Sequence, residues 1–491
     1  MDPEFYSPRA LATVRRIKAL GAWIRLGDAM QEGYRVVYHG IDDVKNLDKS
    51  ETAAFLAPTD VDSIGGFRLS QSLRVPKSYF TDYPKGIAQA GELLIEVKGN
   101  VKKLALVPSR LEEPFLVSGS FFKALLLDRI DSGYVFAFLI GSFGKVLKER
   151  LCSNTIIDYI ARADLESIPF PDLDSKAQMF LGDKVRQAER LRKRAGMLEA
   201  DFVEIIRQQC PEVFGSQQEF GRSSRVAPAS LRRNLNPGAF NPERLRIRAA
   251  IKNTGGKELT EVASIEATVT DSFGPGDDYI GLDSISSTTS QLAPVKIAHA
   301  EVEGSSRVLR EGPVISKLRP YLNKVSYIPA ELARAVGSTE LLCVKPKPGV
   351  SGWFIYGVLK LQCTVGQFQP LANGSTLPRI DAADVLDVVV PWHDDADLLG
   401  RNLEQAQAMY FAAEKLTTAA ALLVESLIEG KITETDLVSA QNALERGDPS
   451  FDRAMLSRVT RQGLDISDLP PLFPDVDALY ALLAQTAPDT E

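Results

Sequence analysis

The chain carries one sequence pattern twice, and this duplication constrains the fold more than any other feature. Residues 160–171 read IARADLESIPFP and residues 380–391 read IDAADVLDVVVP. Asp164 and Asp384 fix the offset at 384 − 164 = 220 residues. A unit of this length is a duplicated domain, because solenoid repeats are ~20 to 50 residues long and more numerous. A binding domain that occurs twice suggests a target in two parts.

Each copy of the pattern leads into a long amphipathic helix. Apolar residues recur every three or four positions over 173–206 and again over 398–428, between charged positions. At 1.5 Å per residue, each helix would be ~50 Å long. A helix cannot bury such a narrow apolar seam alone, so we expect the two helices to pack antiparallel as a coiled coil. The alternative is that each helix packs on its own globular domain.

Ahead of each long helix, strand-like runs and turn signals alternate with a helical stretch, as at 133–151. The sequence therefore predicts a mixed α and β (α+β) fold with two duplicated domains, each followed by a long helix. The expected division is an N-terminal helical segment (1–22), a first mixed domain (23–171), a first long helix (172–209), a linker with a short basic helix (210–258), a second mixed domain (259–391), a second long helix (392–430) and an acidic helical extension (431–491).

Composition places the chain among intracellular globular proteins. Hydrophobic residues make up 44% and charged residues 25% of its 491 residues, which allows two or three domains with full cores. The sequence shows no signal peptide and no apolar run long enough to span a bilayer, so we expect a cytoplasmic protein without membrane contact. The cysteines are far apart and form no Cys-x-x-Cys pair, which argues against a zinc site and a disulfide framework. They are Cys152, Cys210, Cys343 and Cys363.

The distribution of charge is more informative than the net charge of −7. Residues 433–491 contain 11 acidic and 4 basic residues, so the rest of the chain is balanced. Residues 222–257 contain 9 basic residues and only Glu243 as an acid. This segment reads either as a stretch that contacts phosphate or as a solvated linker followed by the polar face of a short helix.

The sequence contains no recognisable set of reacting groups. It has no phosphate-binding Gly-x-x-x-x-Gly-Lys-Ser/Thr loop, and its three histidines are not spaced for a metal pair or a triad. Residues 236–240 (NPGAF) only faintly suggest the catalytic tetrapeptide of amino-methyltransferases, and no glycine-rich cofactor loop precedes them. Asp172 and Asp174 lie at a helix entry, where Asp commonly caps. We therefore expect no catalysis, no cofactor and no metal.

Binding chemistry is concentrated in two polar segments of the second domain. Residues 316–324 combine cations, an aromatic ring and an amide, and residues 372–380 place small polar side chains around Gly374. Arg and Lys can bond guanine edges or phosphates, Asn can bond adenine at two positions, and a glycine loop can approach a phosphate closely. The candidate DNA-binding residues are Lys317, Arg319, Tyr321, Asn323, Lys324, Asn373, Ser375, Thr376 and Arg379.

The first domain offers counterparts with different chemistry. Its segment 153–159 corresponds to 372–380 but lacks both the glycine and the arginine. A structural alternative for these segments is a polar hairpin followed by a capped helix start. The candidate DNA-binding residues of the first domain are Lys98, Asn100, Lys102, Lys103 and Asn154.

Residues 312–324 and 372–380 are followed by a strand that ends at Pro391 and by a long helix that closes with LIEGK at 427–431. This combination resembles the specificity subunit of type I restriction-modification systems. The resemblance covers about residues 5–432, and it is specific in the second half of the chain, whereas the first half departs at both loops. It implies two target-recognition domains, each followed by a long helix.

The resemblance also implies a function and partners. Each recognition domain would read one half of a split, asymmetric site in double-stranded DNA. The helices would hold two copies of an adenine methyltransferase (M) subunit, and a translocating nuclease, the restriction (R) subunit, would join for restriction and phage defence. The chain itself would be a non-catalytic subunit without a cofactor.

Other interpretations remain open at the level of sequence. One is a similar DNA-targeting adaptor in another phage-defence complex, with the same fold and a different effector. A second is a modification enzyme with a divergent active site, which the missing cofactor loop and catalytic tetrapeptide disfavour. A third is a coiled-coil assembly scaffold, which the two polar loops disfavour.

Overall fold

The computed structural model describes residues 6–486 with short gaps, and it forms two compact units. Unit 1 comprises Met1–Lys193 and Phe411–Glu491, and unit 2 comprises Arg194–Tyr410. Each unit therefore contains one copy of the repeat. The residues outside the description are 1–5, 42–43, 45–46, 70–71, 112, 154–157, 215–222, 228–235, 287–288, 301, 303, 375, 467–468 and 487–491.

The central sheet of unit 1 is antiparallel, and three of its four described strands are almost completely buried. Its strands, in spatial order, are Met30–Tyr34, Phe121–Leu126, Leu93–Glu96 and Leu104–Leu106. A second sheet has the order Leu73–Pro76, Thr52–Leu56 and Phe115–Val117, and its last pair is parallel. Two-stranded ribbons pair Trp23–Arg25 with Pro169–Pro171, Lys98–Gly99 with Asp158–Tyr159, and Val459–Thr460 with Gly463–Leu464.

Unit 2 repeats the central sheet in the same order and with the same antiparallel pairing. Its strands, in spatial order, are Ala263–Glu266, Leu341–Pro346, Gly312–Ser316 and Val325–Ile328. The second sheet is larger here, with Val269–Thr270, Ser306–Val308, Val336–Gly337, Asp278–Ile280 and Val295–Lys296 in order. A ribbon pairs Lys257–Glu258 with Val389–Val390, as its counterpart does in unit 1.

The helices complete the duplication. In unit 1 the helices ahead of the first long helix are Pro8–Ala19, Leu26–Ala29, Tyr79–Asp82, Ser132–Ile140, Ser142–Glu149 and Arg162–Glu166. In unit 2 they are Pro211–Phe214, Pro242–Asn253, Leu259–Val262, Gly352–Lys360, Gln362–Phe368 and Ala382–Leu386. Three helices of the second copy begin 220 residues after their counterparts, at Gly352, Gln362 and Ala382 against Ser132, Ser142 and Arg162.

Both predicted long helices are confirmed, as Ser175–Gln209 and Ala396–Ile428. Each long helix packs, through a glycine, against the repeat copy that comes before it in the chain. A Cβ atom at Gly182 would overlap the Asp131 carboxylate, and one at Gly400 would overlap the Ser351 hydroxyl. Asp131 and Ser351 are equivalent N-caps, which accept backbone N–H bonds from Tyr134 (3.0 Å) and Phe354 (3.2 Å).

The long helices also contact each other within each unit. In unit 1, Arg192 donates from Nη2 to Thr417 Oγ1 over 3.0 Å. In unit 2, the Tyr410 hydroxyl donates to Glu199 Oε2 over 3.3 Å. Phe202 and Leu403 lie against the same glycine, Gly357, where a Cβ atom would meet both side chains. Glu199 thus lies near Tyr410, whereas Phe202, later in the first long helix, lies near Leu403, earlier in the second. The two helices are therefore antiparallel in this unit. The mixed α and β fold predicted from the sequence is thus confirmed, with a long helix after each copy.

The residues after the second long helix pack on unit 1. They form helices Glu434–Glu445, Ser450–Leu456 and Val476–Ala484. The Lys184 ammonium lies 2.7 Å from Asp452 Oδ1, and both side chains are almost completely buried. The Lys176 ammonium donates to Asn442 (2.5 Å) and Glu445 (2.8 Å). The extension therefore docks on the start of the first long helix through charged contacts that its overall acidity does not reveal.

Candidate nucleic-acid interface

The two polar segments of the second domain, 317–324 and 372–380, lie side by side. Segment 317–324 leaves the central strand Gly312–Ser316, and segment 372–380 precedes the helix Ala382–Leu386. Arg319 donates its backbone N–H to Pro378 O at 2.8 Å, and Ile380 donates to Lys317 O at 3.1 Å. The structure therefore joins two segments that are about 50 residues apart into one surface.

Segment 317–324 is bent tightly at its tip. The short turn Pro320–Leu322 is flanked by Arg319 and Asn323, which both have left-handed backbone angles (φ 47° and 51°). Left-handed backbone is costly for an L-residue other than glycine, and it clusters at functional loops. Asn323 Nδ2 donates to Lys360 O at 2.8 Å and thereby attaches this end of the tip to the neighbouring helix.

Arg379 is held by an acidic residue that sequence reasoning missed. Its Nε lies 2.9 Å from Glu340 Oε1, and its Nη1 donates to Leu377 O at 3.2 Å. The Arg379 and Asn373 backbones exchange two hydrogen bonds of 2.8 and 2.9 Å. This arrangement leaves part of the guanidinium exposed and fixes the direction in which it points.

Three described residues at or beside the two segments carry a buried polar atom without a hydrogen-bond partner. Among the described residues, Arg319 Nε, Asn323 Oδ1 and Glu340 Oε2 are buried side-chain atoms that form no hydrogen bond. A buried polar atom without a partner costs free energy, so such atoms are uncommon unless a ligand or water completes them. Each of these three atoms could accept or donate one further hydrogen bond to water or to a polar ligand.

The remaining candidates of this domain differ in accessibility. Tyr321, Asn373 and Thr376 are exposed, and Lys317 is half-buried. Lys324 instead donates its ammonium to Ile285 O at 2.5 Å, and burial lowers the pKa of this lysine. The structure thus brings the other described candidates to one surface and directs Lys324 into the domain. Ser375 lies outside the described residues.

In the first domain the corresponding turn is built around one carboxylate. Glu96 is buried, and its carboxylate accepts backbone N–H bonds from Asn100 (3.2 Å), Lys102 (2.9 Å) and Lys103 (2.9 Å). Val101 at the turn has a left-handed φ of 57° and is buried. This carboxylate therefore fixes the backbone of the turn through three charge-assisted bonds.

The same turn presents polar side chains to solvent. Lys98, Asn100 and Lys102 are exposed, and Lys103 is half-buried. The strand Lys98–Gly99 pairs with Asp158–Tyr159, which is the equivalent of the contact between segments 317–324 and 372–380. Asn154 lies outside the described residues.

Arg35 is a further cation at this surface that sequence reasoning missed. Its guanidinium lies over the Tyr159 ring at 5.6 Å. The sequence does not reveal this contact, because Arg35 and Tyr159 are far apart along the chain.

The basic segment 222–257 has a largely structural role where the structure describes it. Arg244 is buried and donates to the carbonyls of Ala239 (2.9 Å), Gln367 (3.0 Å) and Asp387 (2.8 Å), which lowers its availability to phosphate. Arg248 and Lys252 form ion pairs within unit 2, and Lys257 lies over the Trp392 ring at 3.8 Å. The phosphate-contacting alternative is therefore wrong for Arg244.

Asn236, in the segment that faintly suggests a methyltransferase tetrapeptide, and Asp174, at the entry of the first long helix, both form hydrogen bonds with the backbone. Asn236 accepts the N–H of Gly238 (2.9 Å) and donates to Leu371 O (3.0 Å), and Asp174 accepts the N–H of Lys176 (2.8 Å). Within the described residues, no group of His, Cys, Asp and Glu side chains is arranged to hold a metal ion. None of the helices that the structure describes is both long and apolar enough to cross a membrane.

Comparison with known proteins gives a resemblance at the level of whole chains. No family model matches this chain, and no curated protein matches it. The S subunit of a type I restriction-modification system from M. genitalium is 13% identical, covers 86% of this chain and 95% of its own, and has a TM-score of 0.33. The HsdS subunit from Thermoanaerobacter tengcongensis is 14% identical, covers 85% and 95%, and has a TM-score of 0.25.

A third solved structure, described as the structural basis underlying complex assembly and conformational transition of the type I R-M system, is 16% identical, covers 85% and 96%, and has a TM-score of 0.24. Two of these structures are thus described as S subunits, the subunit that the sequence resembles, and the third as part of the type I system. All three TM-scores are below 0.5. The fold described above therefore rests on the strand order and register of this chain alone.

Proposed function

We propose that the chain is the DNA-specificity subunit of a type I restriction-modification complex. The observation that carries the proposal is that a loop pair rich in polar side chains occurs at the same topological position in both copies of a duplicated domain. In each copy, one loop leaves the same central strand, and the other precedes the helix that leads to the long helix. Two such surfaces suit a bipartite target better than a single ligand.

The proposed division of labour follows the two copies. The domain at 23–171 reads one half-site in double-stranded DNA, and the domain at 259–391 reads the other. The long helices act as an antiparallel coiled-coil spacer between the half-sites. Side chains at the loop surfaces then contact base edges for specificity and phosphates for position.

The proposed partners supply the chemistry. Two adenine methyltransferase subunits bind the chain and modify the site, and a restriction subunit joins for cleavage of foreign DNA in the cytoplasm. The chain holds the partners and selects the sequence without reacting groups of its own. Its body outside the acidic extension has balanced charge, so the isolated chain should bind DNA weakly, and the complex should bind more tightly with help from basic partners.

A two-part experiment tests this proposal. The chain is purified from its native cell, its bound proteins are identified, and the complex selects duplexes from a random-sequence library. We expect a methyltransferase among the partners and a selected site in two separated halves. The chain alone should neither methylate nor cleave DNA. Robust methylation by the chain alone would contradict the proposal, and a different effector with the same bipartite site would favour the adaptor alternative.

A further inference from the structure

The tip of the second domain's loop pair exposes large apolar side chains. Tyr321 is 45% exposed, Leu322 50% and Leu377 43%. Single exposed apolar residues are ordinary on protein surfaces. These three differ because two are consecutive and the third directly precedes Pro378, whose carbonyl accepts the Arg319 N–H at 2.8 Å.

The structure holds these side chains outward through the backbone. Pro320 restricts the start of the turn, and Leu322 and Asn323 donate their N–H groups back to Arg319 O (2.9 Å) and Pro320 O (3.1 Å). These bonds fix the backbone of the turn from which Tyr321 and Leu322 project. A rigid apolar tip loses little conformational entropy when it binds, which favours its use in recognition.

Three cations lie on the two segments that form the tip. Lys317, Arg319 and Arg379 belong to the same two segments, and the nearby acid Glu340 is paired with Arg379. An apolar tip that carries cations beside it is complementary to a groove that has anionic groups along its edges and apolar groups on its floor. Duplex DNA has this character, because thymine displays a 5-methyl group in the major groove between two rows of phosphates.

The described part of the first domain's loop pair exposes one large ring, Tyr159 (37% exposed), which lies beneath the Arg35 guanidinium. At the corresponding turn, the apolar residue Val101 is 4% exposed, and the side chains that reach solvent are Lys98, Asn100 and Lys102. The two surfaces therefore differ in chemistry, although they occupy equivalent positions. Among the described residues, two consecutive exposed apolar side chains at the tip of a loop occur in the second surface only.

We propose that Tyr321, Leu322 and Leu377 contact thymine 5-methyl groups in the half-site read by the second domain. This inference rests on the proposed function, since it names the base group that the second surface recognises. The second half-site should then contain at least one thymine, on one of its two strands, that contacts the tip. Replacement of that thymine by deoxyuridine should lower the affinity.

The test uses the assembled complex and its selected site. Each thymine, on both strands, is replaced in turn by deoxyuridine, which removes only the methyl group. At one or more positions of the second half-site we expect about fourfold weaker binding, the size expected for one buried methyl group. Any effect of deoxyuridine in the first half-site should be the same in the wild type and in the variants of the second surface.

Three variants of the protein then locate the contact. In the complexes with Leu322→Ala and Leu377→Ala, the affected thymine should lose its advantage over deoxyuridine, because the partner of the methyl group is gone. Leu73→Ala removes a leucine that is equally exposed, 50%, outside the loop pair, and should keep the full discrimination. The thermal midpoint of each variant shows whether it is folded.

The outcomes separate this inference from the function on which it rests. A complex that selects a bipartite site but shows no deoxyuridine effect, or shows an effect unchanged in both leucine variants, overturns the inference alone. Loss of a protein partner in these variants, with DNA discrimination retained, identifies the tip as a protein contact and also overturns it. A complex that selects no bipartite site overturns the proposed function.

Discussion

Among the candidate DNA-binding residues, Arg379 has one of the most closely defined positions. Its backbone pairs with Asn373, and its guanidinium is held by Glu340 at 2.9 Å. A planar cation fixed in this way can bond guanine or phosphate in one orientation, whereas a freely rotating side chain pays entropy to do so. Its counterpart in the repeat is Tyr159, which carries no charge.

We expect Arg379→Ala to weaken DNA binding by the complex through the second half-site only. If the guanidinium bonds a base, the loss should be ~1 to 3 kcal/mol and selectivity should relax at one position of that half-site. If it bonds phosphate, affinity should fall for all sequences and the salt dependence should decrease. Titrations with substituted duplexes at several salt concentrations measure both quantities.

Glu340→Gln supplies the matched control for this prediction. It keeps the size of the side chain but weakens its hold on the Arg379 guanidinium, so we expect an intermediate loss at the same position. Unchanged binding by Arg379→Ala would show that this loop does not face DNA.

Lys148 is a buried cation at a position where the repeat places an apolar side chain. It is 2% exposed, and the equivalent residue, Phe368, is 1% exposed. Burial lowers the pKa of Lys148 to about 8 from an ordinary value of 10.5. Because the unfolded chain binds the proton more tightly, this lysine destabilises the folded chain below about pH 8, and the penalty disappears as the pH rises towards 10.5.

We therefore expect Lys148→Met to raise the free energy of unfolding at pH 7 by about 3 kcal/mol, at 1.36 kcal/mol per pKa unit. The gain should shrink progressively between pH 8 and pH 10. Chemical denaturation of the wild type and the variant at pH 7, 8.5 and 10 measures it. A gain that does not depend on pH would mean that packing, and not the charge, accounts for the difference.

At the scale of elements, the long helices were predictable and the contacts between loops were not. Helical spacing of apolar residues extends over nine turns, so local sequence identifies 173–206 and 398–428 with an error of a few residues at the ends. Glu340 and Arg379 are 39 residues apart and meet only because the central sheet brings their loops together. Burial of Arg244, Lys148 and Lys184 was equally hidden, since a charged residue normally indicates a solvated position.

The acidic extension depends on the buried pair Lys184 and Asp452. Asp452 also accepts a hydrogen bond from the Tyr480 hydroxyl at 2.6 Å, so it joins two helices of the extension to the first long helix. Removal of one member of a buried ion pair leaves the other charge without a partner and typically costs 3 to 5 kcal/mol.

We expect Asp452→Ala to release the extension from unit 1, because the Lys184 ammonium loses its counter-charge. Trypsin should then cleave the extension faster, at exposed sites such as Arg446 and Arg458. The double variant Lys184→Met with Asp452→Ala should be more resistant than Asp452→Ala alone, since no charge is left unpaired. Equal cleavage rates in the wild type and Asp452→Ala would show that the extension is held without the Lys184–Asp452 pair.

The helices also allow a test of their role as a spacer. Both pass from one unit to the other, at Lys193 in the first and at Tyr410 in the second. Insertion of four residues after each of these positions keeps the contacts within each unit and lengthens both helices by ~6 Å. At ~3.4 Å per base pair, we expect a site whose spacer is longer by one or two base pairs and whose half-sites are unchanged.

Sequencing of the DNA selected by the complex gives the result of this insertion. An unchanged spacer with altered half-sites would mean that the helices support the domains and do not measure the distance between the two halves. The single insertion after Lys193 serves as a control, because it shifts one helix against the other and should impair folding.

At the scale of the whole molecule, the duplication was visible in the sequence and explains most of the fold. The offset of 220 residues, taken from one repeated pattern, gives the correct first residue of three helices in the second copy. The offset could not reveal the second sheet, which has three strands among the described residues of unit 1 and five among those of unit 2. These strands are short and lie in the part of each domain where the two copies differ in length, so neither periodicity nor the repeat constrains them.

The central claim is that the two copies read two separate halves of one DNA site. The most direct test maps N6-methyladenine by long-read sequencing in cells that carry the chain with its native partners. Wild type is compared with a first-surface variant, Lys98→Ala with Lys102→Ala, and a second-surface variant, Arg319→Ala with Arg379→Ala. We expect a bipartite motif in the wild type, with one half relaxed in each variant and different halves affected. A single contiguous motif, or two variants that alter the same bases, would contradict it.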